Sequence, residues 1–77
     1  MEEKVEGLLA KLLEMPVTAI NDEFAMKDVE VWDSLKHMEL IVSVEQSFNV
    51  ELTFEEIIAM QNVREIKRVL ENRGVLS

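Results

Sequence analysis

No glycine or proline interrupts the stretch from Asp33 to Phe48, and its apolar residues recur three and four positions apart. That spacing fits only a helix, with Asp33 as its N-cap. Turned by about 100° per residue, Leu40, Val44, Phe48, Ile41, Met38, Val42 and Leu35 sweep an arc of roughly 220°, wider than one core-facing stripe requires. Leu40, Val44 and Phe48 are expected to face a bundle. Leu35, Met38 and Val42 lie toward the other edge, near Ser34 and Glu39, where they either cover a loop or meet a partner.

The other segments are arranged around this helix. From Glu2 to Glu14, Val5, Leu8, Leu9, Leu12 and Leu13 repeat at helical spacing, and Pro16 closes the run. Residues 15–33 lose the period and form a long connection with apolar anchors at Ile20, Phe24, Val29, Val31 and Trp32. Two short helices follow, each announced by a capping box: Thr53 with Glu56, and Asn62 with Glu65. Ile57, Ile58 and Met60 belong to the third helix. Val63, Ile66, Val69 and Leu70 form the buried face of the fourth, which carries Lys67, Arg68 and Arg73 toward its end and stops at Gly74. With only two glycines and one proline, and 48% hydrophobic but 5% aromatic residues, the 77-residue chain reads as a single all-α domain over 1–77. The expected architecture is a four-helix bundle with a long first loop and a short third helix.

Eight basic against sixteen acidic side chains give a net charge of −8, which repels nucleic-acid phosphates and anionic lipid head groups. Partners are therefore expected to present basic patches, with no nucleic acid and no membrane insertion. Without cysteine there is neither a disulfide framework nor a thiolate metal site. Met1-Glu2-Glu3-Lys4 lacks the basic start and apolar run of a signal peptide, so a cytoplasmic protein is expected. The pairs Glu2-Glu3 and Glu55-Glu56 read as solvated helix starts rather than a metal site.

Ser34 follows the cap residue, so it falls in the first turn of the second helix, where free N–H groups and the positive end of the dipole favour an attached phosphate. A hydrolytic reading of Asp33, Ser34 and His37 fails, because adjacent Asp33 is poorly placed to orient His37 and no oxyanion hole is evident. No catalytic residue is assigned. A lone His without Cys is no metal site either, and His37 is expected at the surface. Trp32 reads as a loop anchor.

In this setting Asp33-Ser34-Leu35-Lys36-His37-Met38-Glu39-Leu40-Ile41, with Glu45 and Phe48 beyond it, resembles the modification-site helix of acyl carrier proteins. Ile20-Asn21-Asp22-Glu23-Phe24 upstream and Val50-Glu51-Leu52-Thr53-Phe54-Glu55-Glu56 downstream extend the likeness over nearly the whole chain. The resemblance implies 4′-phosphopantetheine joined covalently to Ser34 by a separate magnesium-dependent phosphopantetheinyl transferase, with Asp33 as the cap beside the site. It further implies a monomer without catalytic activity, holding acyl groups for acyl-transferring or acyl-modifying enzymes of fatty acid, polyketide or related metabolism. Leu35, Met38, Glu39, Val42 and Glu45 would form the docking stripe. The likeness departs where Val31-Trp32 replaces a small glycine-containing pair, and where Lys36, Gln46 and Ser47 replace acidic residues. Two alternatives stay open: a carrier of aminoacyl or peptidyl groups, and an unmodified acidic helical interaction domain.

Overall fold

A computed structural model describes residues 4–76. The expected start of the first helix at Glu2, and the Glu2-Glu3 pair, lie outside the described residues. Helix α1 (Lys4–Leu13) buries Val5, Leu9 and Leu13, as its period requires. It ends before Pro16 on Glu14, whose φ of 58° is left-handed, and the Met15 N–H returns to the Ala10 carbonyl at 3.0 Å. The same closure ends two other helices. Asn49 (φ 58°) stops α2 (Ser34–Phe48) with Val50 N–H on the Glu45 carbonyl, and Gly74 (φ 76°) follows α4 (Val63–Asn72) with Val75 N–H on the Leu70 carbonyl. Gly74 and Asn49 are residue types that announce this turn, and Glu14 is not.

The connection between α1 and α2 holds two 3₁₀ turns, Val17–Ala19 and Met26–Asp28, and is fastened to the start of α4 through the main chain. Val63 N–H donates to the Phe24 carbonyl at 3.0 Å, Arg64 N–H to Asp22 at 3.1 Å, and Met26 N–H to Gln61 at 2.8 Å. Ala25 and Asn62 form one isolated antiparallel bridge. Of the expected anchors, Ile20 and Trp32 are buried, and Phe24 and Val29 pack at the margin of the core. Val31 is not an anchor: it is 45% exposed. The adjacent Trp32 takes the inward place, and its indole has the larger area to bury.

Asp33 caps α2 as expected, its Oδ1 accepting from Lys36 N–H at 3.0 Å. Helix α3 (Phe54–Ala59) begins with a complete capping box: Glu56 N–H donates to Thr53 Oγ1 at 3.1 Å, and Thr53 N–H donates to Glu56 Oε1 at 2.9 Å. At α4 only half of the expected box forms. Asn62 Oδ1 accepts from Glu65 N–H at 2.8 Å, while the Glu65 carboxylate lies 3.5 Å from Arg68. On so short an α3 a single stripe can face inward, so Ile57 is partly buried while Ile58 is 48% exposed and does not line the interior. Met60 is fully buried, one residue beyond the helix rather than within it.

Leu9, Leu40, Val44, Val63, Ile66 and Leu70 form the centre of the core, each without solvent contact. Helix α1 packs against α2 and α4, and α3 closes on α4. The described residues make an all-α, four-helix arrangement with a long first connection and a short third helix, as the periodicity predicts. Among them no helix is long and apolar enough to cross a membrane.

Candidate functional site

Ser34 is the first residue of α2 and is exposed. Its position follows from the chain on both sides: Trp32 is buried in the core, Asp33 takes the extended conformation of a cap (φ −96°, ψ −170°), and α2 starts at once. The first-turn N–H groups of a helix have no partner within it. No acidic residue falls in the first turn of α2, and the Asp33 carboxylate is occupied by Lys36 N–H. An exposed hydroxyl at an N-terminus with no repelling carboxylate in its first turn fits a phosphodiester on Ser34.

Along α2 from this serine, Leu35 is 67% exposed, Met38 51% and Val42 50%, with Glu39 exposed among them. They do not cover the first loop, which packs elsewhere, so the excess of the apolar arc is open surface. Lys36 Nζ stands 3.5 Å from Glu39, an exposed pair of little energetic weight. Glu45, expected on the same edge, is turned another way. It is partly buried and its Oε2 accepts from Leu52 N–H at 3.0 Å, holding the connection between α2 and α3. Phe54, which no local pattern marks as surface, is exposed at the start of α3.

His37 is not a surface residue. Its side chain is buried at 8% exposure, with Nδ1 3.1 Å from Trp32 Nε1 and Nε2 2.9 Å from the Ile57 carbonyl oxygen. An indole N–H can only donate and a carbonyl can only accept, so Nδ1 is the acceptor and Nε2 carries the proton. Both nitrogens are occupied, so neither serves Ser34 as a base, which removes the hydrolytic arrangement on geometric grounds. Trp32 in turn stacks on Phe24 with ring centroids 5.9 Å apart. A signal for this was present in the sequence: His37 stands three, four and seven residues before Leu40, Ile41 and Val44, on the buried stripe itself.

Charge also fastens the elements to one another. Arg73 clasps Glu56 through Nε at 2.9 Å and through its terminal nitrogen at 2.6 Å, which also donates to the Glu51 carbonyl at 2.6 Å. This guanidinium, with the Thr53 N–H second, pulls the Glu56 carboxyl down to about 2, and the Arg73 pKa is raised in return. Lys67 Nζ bridges Glu6 at 2.6 Å and Asp22 at 2.8 Å, joining α1, the long connection and α4. Its contact lowers the Asp22 pKa, and the two carboxylates raise that of Lys67. Among the described residues no group of His, Asp and Glu is arranged to hold a metal ion.

The family model for the phosphopantetheine attachment site matches residues 3–70. The chain is 34% identical over 79 residues to a non-reducing polyketide synthase of Didymella fabae, covering 94% of this chain but only 3% of that protein. It is 31% identical to an acyl carrier protein of Buchnera aphidicola subsp. Baizongia pistaciae, spanning 92% of this chain and 91% of the relative. To the acyl carrier protein of Buchnera aphidicola subsp. Schizaphis graminum it is 26% identical, spanning 96% and 94%.

Proposed function

Since this chain belongs to the phosphopantetheine-bearing carrier family that includes the acyl carrier proteins, we propose that it is a discrete acyl carrier whose arm is attached to Ser34. The observation that carries the assignment is the exposed hydroxyl of Ser34 on the first turn of α2, beside an engaged cap carboxylate. When attached, 4′-phosphopantetheine supplies a thiol that holds an acyl group as a thioester. The chain's own residues set the place: Asp33 fixes where the helix begins, Trp32 anchors the segment before it, and the first-turn N–H groups that Asp33 does not take would favour the phosphate.

Leu35, Met38, Glu39 and Val42 form the surface that a phosphopantetheinyl transferase and acyl-handling enzymes would grip, with basic groups on those partners complementing the net charge of −8. The exposure of three large apolar side chains on one helix edge supports this use. Residues 1–77 then act as one monomeric cytoplasmic domain, and catalysis resides in the partners. Both a carrier and a polyketide synthase lie among the relatives, so fatty acid and polyketide chemistry are the acyl metabolisms in view.

Incubation with coenzyme A, magnesium and a broad-specificity transferase should raise the intact mass by one phosphopantetheine, and Ser34→Ala should abolish the gain. A gain that survives the substitution would place the arm elsewhere.

A further inference from the structure

Trp32, His37 and Ile57 belong to three different segments, the connection before Ser34, α2 and α3, and the imidazole of His37 joins them. Trp32 stands two residues before Ser34 and His37 three after it, so this bond ties the chain on either side of the serine. The His37 backbone N–H adds a bond to the Asp33 carbonyl at 2.8 Å. On the far side, Ile57 lies in α3 and bonds back to Thr53 through its own N–H at 3.0 Å. The ring therefore sets both the path of the chain into α2 and the height of α3 beside it.

This bridge exists only in one protonation state. Trp32 Nε1–H needs a lone pair on Nδ1, and a second proton would set two donors against each other within the core. No charged group among the described residues bonds to the ring to offset a positive charge. On α2 and its cap, the Asp33 carboxylate takes Lys36 N–H, and Lys36 lies by Glu39. On α3, Glu56 is held by Arg73 and Glu55 is exposed. On the connection, Asp28 and Glu30 are exposed.

We infer that neutral His37 is the positioning residue that holds the Ser34 end of α2 against the connection and α3, and that its protonation frees Trp32 and slows loading of the arm. The loading half rests on Ser34 being the attachment residue. The structural half does not.

The chain has one Trp and one His, so each gives a single reporter. In the 15N-labelled full chain at neutral pH, His37 should show a bare Nδ1 and a protonated Nε2. As the solution is acidified until a second proton enters the His37 ring, the Trp32 indole N–H signal should shift and lose its protection from exchange in step with that event. A protonated Nδ1 at neutral pH, or an indole signal that ignores the titration of His37, overturns the inference. Loading is then followed by intact mass over the same acidification with one transferase, each variant being compared with wild type so that the transferase's own pH dependence cancels. His37→Leu should load several-fold more slowly at neutral pH. His37→Gln, which keeps an acceptor and a donor without a titratable group, should restore the rate and lose the fall in acid that wild type shows relative to it. Equal wild-type and His37→Gln profiles defeat the effect of protonation, and a His37→Leu rate equal to that of wild type defeats the positioning role. A wild-type mass that never changes defeats the attachment reading instead, and the spectra still decide the bridge.

Discussion

Leu40 and Met38 stand two residues apart on α2, yet one has no solvent contact and the other is half exposed. Truncating Leu40 to Ala leaves a void in the buried cluster and should destabilise the fold by about 2–5 kcal/mol. Small domains hold only about 5–15 kcal/mol in total, so a loss of this size is a large share. Met38→Glu changes an exposed position and should leave unfolding by urea within about 0.5 kcal/mol of wild type, while impairing transfer by partner enzymes. Collapse of the Met38→Glu fold would make Met38 part of the core and remove it from the docking edge. Periodicity told these two residues apart because a helical stripe is a property of spacing alone. It also passed through His37, whose polar character led to a surface expectation. Burial of that ring depends on two bonds, from Trp32 and to Ile57, and the second partner lies twenty residues away.

At the scale of elements, α3 is the one that cannot stand alone, since a helix of six residues has too few internal bonds to repay its nucleation. Three fastenings hold it: the capping box at its start, the Arg73 clasp on Glu56, and His37 on the Ile57 carbonyl. The box was legible in Thr53 and Glu56, because its partners are three residues apart. The clasp spans seventeen residues and follows only from the packing of α3 on α4, so no local pattern shows it. Its acid response has a definite sign. The folded Glu56 pKa, about 2, lies below its ordinary value of 4.5, so the stabilisation is complete above about pH 4.5 and is lost as pH falls toward 2. Protection of the α3 amides, measured against their intrinsic exchange at each pH, should therefore fall in that window. Arg73→Ala should lower it already at neutral pH and flatten the acid response; an unchanged α3 would mean that the cap and His37 suffice.

For the whole molecule the net charge of −8 meets an envelope of 28 × 28 × 20 Å. At about 0.01 M salt the screening length, roughly 30 Å, reaches across that envelope, so every excess carboxylate repels every other; at about 0.1 M it shrinks to roughly 10 Å. The ion pairs pull the other way, but Lys36–Glu39, Arg64–Glu23 and Arg68–Glu65 are exposed, and such pairs are each worth about 0–1 kcal/mol. Lys67 and Arg73 are the exceptions, because one ammonium serves carboxylates from two segments and one guanidinium grips Glu56 through two nitrogens, all at short range where screening reaches least. Self-repulsion should therefore dominate, and Tm followed by circular dichroism should rise as salt is added over that range. The sign of this balance could be read from composition, whereas the Lys67 junction could not, since Glu6, Asp22 and Lys67 meet only once α1, the connection and α4 are packed. Docking to a basic partner responds oppositely, because screening weakens the attraction that speeds encounter. Salt should thus stabilise the carrier while slowing its loading by the transferase. A fall in Tm with salt would show that the ion-pair network outweighs repulsion, and loading indifferent to salt would mean that the apolar edge of Leu35, Met38 and Val42, not charge, governs recognition.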